Sequence, residues 1–111
     1  MNADEDALLA GLLEDAAQTM QRLSGGMAVC IFTRAGKPVP GVKYAEGRWA
    51  ALRAAHRKAS TTTSLTEALA ELSATWRSSL QRSEERAAGP DWLAYYTGGL
   101  DALTELVARR R

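Results

Sequence analysis

Cysteine, histidine and phenylalanine each occur once in these 111 residues, as Cys30, His56 and Phe32. A lone cysteine excludes an internal disulfide and a cysteine-rich zinc site. His56 has no second histidine to pair with, and no carboxylate stands three or four positions away to complete a ligand pair. No metal and no cofactor is expected. Long apolar runs are also missing: the longest spans residues 27–32, against the roughly 20 residues that a membrane-spanning helix requires. The first 21 residues carry no base, so the basic start of a secretory signal is lacking and a cytoplasmic location is expected.

What is present is an ordinary globular composition, 46% hydrophobic and 24% charged, enough for one core and one domain over residues 1–111. Arginine outnumbers lysine by 11 to 3, which suits a GC-rich bacterial genome. The net charge of +1 hides a segregation. Asp4, Glu5, Asp6, Glu14 and Asp15 make the opening acidic. Between Arg22 and Lys58, eight bases face Glu46 alone, a balance of +7. Such an asymmetry speaks to partners rather than to fold.

Periodicity divides the chain. Asn2 with Glu5 forms a capping pair, and Leu8, Leu9, Leu12, Leu13, Ala16, Met20 and Leu23 follow helical spacing until Ser24-Gly25-Gly26 ends the run. Residues 27–33 predict a strand, Arg34-Ala35-Gly36-Lys37 a turn, and residues 38–44 a return strand. Pro38 and Pro40 would then blunt its outer edge. Three further helices are predicted. The first runs from about Glu46 to Ala59, burying Trp49, Leu52 and Ala55 or His56. The second is capped by Ser64 and Glu67 and carries Leu65, Leu69, Leu72, Trp76 and Leu80 to about Ala87. The third starts at Pro90 and carries Leu93, Tyr96, Leu100, Leu103 and Val107. Gly98-Gly99 marks either a kink or a close backbone approach. No repeat is evident. The expected fold is mainly α with a small antiparallel β-hairpin, in the order helix, hairpin, three helices, around a single core.

Enzymatic constellations fail on inspection. Cys30 sits in the most apolar segment, where an inert cysteine is expected rather than a thiolate served by His56. Glu67 with Glu71, and Glu84 with Glu85, read as solvated helix faces. Gly36-Lys37 is followed by proline and lacks the earlier glycine of a phosphate loop. A non-enzymatic role is therefore expected.

The basic middle supplies the candidate site: Arg34, Lys37, Lys43, Arg48, Arg53, Arg57 and Lys58. Such a cluster on a hairpin and helix suits phosphate backbones, with Tyr44 and Trp49 placed to stack on unpaired bases. The leading expectation is a small regulatory or accessory protein that binds an acidic partner, DNA first. The alternative is a helical protein–protein adaptor or inhibitor without nucleic acid, its excess charges paired with the acidic first helix across the fold or across a dimer. The terminal Arg109-Arg110-Arg111 reads as a basic helix end. Two apolar faces on the expected hairpin also predict a homodimer that buries apolar surface from the hairpin or the C-terminal helices.

Overall fold

The computed structural model describes residues 1–24, 40–61 and 64–110. They form four helices: α1 (Ala3–Ser24), α2 (Pro40–Thr61), α3 (Leu65–Glu85) and α4 (Pro90–Arg109). Among the described residues there is no strand.

The expected β-hairpin is overturned at its return strand, because Pro40, Gly41, Val42, Lys43 and Tyr44 open α2. Proline at a helix start gives up only a donor that has no intrahelical partner there. Val42 and Ala45 are buried three positions apart, and Ala51, Leu52, Ala55 and Ala59 continue their stripe. That is a helical period written mostly in small residues. The other strand, over residues 27–33, and the turn with Arg34 and Lys37 lie outside the described residues.

The other helix ends follow the predicted chemistry. At α1 the pair is reciprocal: the Asn2 N–H donates to Glu5 Oε1 at 3.1 Å and the Glu5 N–H to Asn2 Oδ1 at 2.8 Å. The Glu67 N–H donates to Ser64 Oγ at 3.2 Å at the start of α3. At its far end the Ala88 N–H reaches the Ser83 carbonyl at 2.9 Å and the Ala87 N–H the Glu84 carbonyl at 3.1 Å. This double closure places Ala87 in the left-handed region, with φ of 51°. Pro90 then starts α4 after Gly89.

α2 and α4 form the most intimate pair, with α1 packed on α2 and α3 on both α4 and α2. Tyr44 bonds Asp101, and one turn further along both helices Arg48 bonds Glu105. α2 and α4 therefore run in the same direction. At their crossing a Cβ on Gly47 would overlap the Tyr95 carbonyl, and one on Gly98 would overlap the Tyr44 carbonyl. Each glycine thus faces the backbone three residues before the other glycine. The pattern Tyr-x-x-Gly-x-x-x-Ala-Leu occurs in both helices, as Tyr44, Gly47, Ala51, Leu52 and as Tyr95, Gly98, Ala102, Leu103. In each helix its glycine, alanine and leucine are buried. A helical glycine costs about 1 kcal/mol relative to alanine, which backbone contact offsets here.

All four helices contribute to one apolar cluster that includes Leu9, Leu12, Leu52, Leu65, Leu69, Leu103 and Leu106. A fully buried leucine contributes about 1.5–3 kcal/mol, so these few side chains dominate cohesion. No helix among the described residues is long and apolar enough to cross a membrane.

Candidate functional site

The basic residues of α2 share one helix without forming one free face. Lys43 Nζ lies 3.0 Å from Glu46 Oε2, and Lys58 Nζ lies 2.6 Å from Glu71 Oε2 on α3. Arg48 pairs with Glu105 on α4. Burial alone would lower the affinity of Arg48 for its proton, but Glu105 and Tyr44 together hold it above the ordinary arginine value. Arg53 lies over the Trp49 ring, 5.0 Å from its centroid. Arg57 is exposed and makes no ion pair among the described residues. Of the predicted site, Arg34 and Lys37 lie outside the described residues, three bases hold carboxylates, and Arg53 and Arg57 remain solvent-facing one turn apart.

Among the described residues, Lys43, Arg48 and Lys58 take their carboxylates from Glu46, Glu105 and Glu71 rather than from the acidic first helix. Glu5 instead meets Arg110 at 3.5 Å, and Asp6 lies 3.5 Å from His56 Nε2. Arg110 also donates to Thr66 Oγ1 at 2.7 Å, tying the end of α4 to the starts of α1 and α3. Arg109 Nε lies 3.2 Å from Glu105. The Tyr44 hydroxyl donates to Asp101 Oδ2 at 2.5 Å. Burial, followed by the Asp101 hydrogen bond and charge, pushes that phenol above its ordinary range. Apart from Arg109–Glu105, which lies within α4, these contacts join one helix to another. Among the described residues, no three His, Cys, Asp or Glu side chains converge as metal ligands would.

A different cluster emerges where α3 turns into α4. Trp76 meets Tyr95 and Tyr96 at ring-centroid distances of 5.3 and 5.8 Å. Trp92 stacks on Tyr96 at 6.1 Å with 24° between planes, and meets Tyr95 edge-on at the same distance. Gly99 makes the cluster fit, since a Cβ there would enter the Trp76 ring. Trp92 is nevertheless 57% exposed. It borders a cleft with Ser83, Arg86, Ala88 and Tyr96. An exposed tryptophan held by other rings, with an arginine beside it, is the composition that carries energy in protein interfaces.

Sequence reasoning missed this site because it assigned Trp76 and Tyr96 to core stripes and left Trp92 unassigned. The signal was there: Trp92, Tyr95 and Tyr96 are spaced by three and four, and Trp92 falls off the leucine stripe of α4. In comparisons with protein-family models, curated proteins and solved structures, nothing matches this chain.

Proposed function

We propose that the protein is a non-enzymatic helical interaction module that holds a protein partner at the Trp92 face. One observation carries this reading: a tryptophan more than half exposed, clamped by Tyr96 and bordering a cleft with Arg86. Leaving so large a ring in water forgoes the burial energy that a partner's surface would restore.

A second reading, DNA binding through α2, is favoured by Arg53 and Arg57, which face solvent one turn apart. It is the weaker of the two, because Lys43, Arg48 and Lys58 must leave carboxylates before they can neutralise phosphates. The expected homodimer was to bury apolar surface from the hairpin or the C-terminal helices, and its hairpin ground is lost with residues 40–44 in a helix. The partner proposed here is a different protein.

Capture from nuclease-treated lysate in high salt tests the proposal. Wild-type protein and R53A/R57A should retain the same stoichiometric protein, and W92A should lose it. Recovery of nucleic acid alone, or equal capture by W92A, would reject it.

A further inference from the structure

The geometry points to a specific chemistry for that partner: we propose that the cleft between Trp92 and Arg86 receives a peptide segment whose carboxylate side chain lies beside an aromatic or proline ring. This rests on the interaction-module reading and narrows it. One face of Trp92 is taken by Tyr96, and its 57% exposure leaves indole surface for a ligand ring. Among the described residues, Arg86 is the one charged residue lining the cleft. It is exposed and makes no side-chain hydrogen bond or ion pair among the described residues, so its guanidinium fork is open to a carboxylate, which it can hold through two parallel bonds.

The turn fixes the spacing of the two groups. Arg86 is the last residue before the chain reverses at Ala87, and the Ala88 N–H locks that reversal onto the Ser83 carbonyl. Ala88 lines the cleft together with the arginine and the tryptophan. Trp76, seated on Gly99, buttresses the tyrosines behind Trp92. A site built in advance in this way costs little ordering on binding.

Charge selects among ligands. From Arg82 to Asp91 two bases stand against Glu84, Glu85 and Asp91. A nucleic-acid strand needs a cationic groove along its backbone, and in this described stretch the acids outnumber the bases. A quaternary ammonium would suit the rings but would meet Arg86 head-on. One carboxylate next to one flat apolar group satisfies both sides of the cleft.

Selection of random phage-displayed peptides on the intact protein tests this, with W92A and R86Q as parallel targets. Peptides recovered on wild type should carry Asp or Glu within a few positions of Pro, Trp, Tyr or Phe. Changing that acid to its amide in a synthetic copy should weaken binding about tenfold, as expected for loss of one charge-assisted pair. R86Q should bind acid and amide copies alike, and W92A should bind neither. Absence of any Trp92-dependent peptide, recovery of peptides without acids, or Trp92-dependent binding of oligo(dT) would each overturn the proposal. If a lysate protein depends on Trp92 while acid and amide peptides bind equally, the interaction module stands and this partner chemistry falls. If W92A keeps the lysate protein, both fall.

Discussion

Gly47 lies against the carbonyl of Tyr95 so closely that no side chain fits between them. Gly98 has the same relation to Tyr44, whereas a Cβ on Gly11 of α1 would meet open space. G47A and G98A should therefore each destabilise the fold by about 1–3 kcal/mol through overpacking. G11A should stabilise it by about 0.5–1 kcal/mol, by lowering the entropy lost on folding. Urea unfolding followed by circular dichroism measures all three. A shared sign would mean that α2 and α4 are not in backbone contact.

Ala87 holds a left-handed conformation that its methyl group disfavours. A87G should raise stability by about 1 kcal/mol, and A87V should lower it. A neutral A87G would show that the turn relaxes away from the double closure at Ser83 and Glu84.

Alkaline pH should loosen the α2–α4 pair. Burial first, then Asp101, raises the Tyr44 phenol, and burial with the charge of Glu46 raises Tyr95. A raised folded-state value means that the folded state holds the phenolic proton more tightly than the unfolded state. That stability is fully present below the unfolded tyrosine value of about 10 and is lost as pH rises through the folded values. Thermal melts across this range should show Tm falling above that point. Y44F should flatten the fall; a Y44F curve parallel to wild type would remove Tyr44 from the effect.

Duplex DNA distinguishes free from engaged bases on α2. Seven neutralised phosphates, one for each base of the expected site including Arg34 and Lys37, would give log K against log salt a slope of about −6. The expected slope is well short of that, and R53A/R57A should flatten what remains. A slope near the full value would show that Lys43, Arg48 and Lys58 abandon Glu46, Glu105 and Glu71 for phosphate.

Much of the helical skeleton was legible because caps and stops are local chemistry. Asn2 with Glu5, Ser64 with Glu67, and Gly89-Pro90 placed three helix starts within a residue or so. The start of α2 was not legible. Its opening stripe is valine, alanine and glycine, whose burial depends on the close approach of α4 rather than on their own hydrophobicity. Pro38 and Pro40 alternate as on a strand edge, and nothing local distinguishes that from a proline leading a helix.

The same effect displaced the α4 stripe. Leu103 was expected and is fully buried, but the buried face runs through Gly98, Gly99, Ala102 and Leu106 rather than Leu93, Leu100 and Val107. As for the site, charge segregation identified bases without revealing that their carboxylates come from α3 and α4, distant in sequence. The aromatic cleft needed the α3–α4 turn to bring Arg86 beside Trp92.

Gly47 and Gly98 stand 51 positions apart, with all of α3 between them. The α3–α4 hairpin closes through a short turn and can form early, but the crossing waits on a long-range encounter, which slows folding. On the ribosome, where synthesis proceeds from the N-terminus, α2 emerges long before its main partner exists. Its small-residue face must stay unmatched until α4 has cleared the exit tunnel. A chain stalled before Gly98 therefore carries α1, α2 and α3 without the backbone against which Gly47 seats, and quality-control machinery would meet an open helix set rather than a slightly shortened bundle.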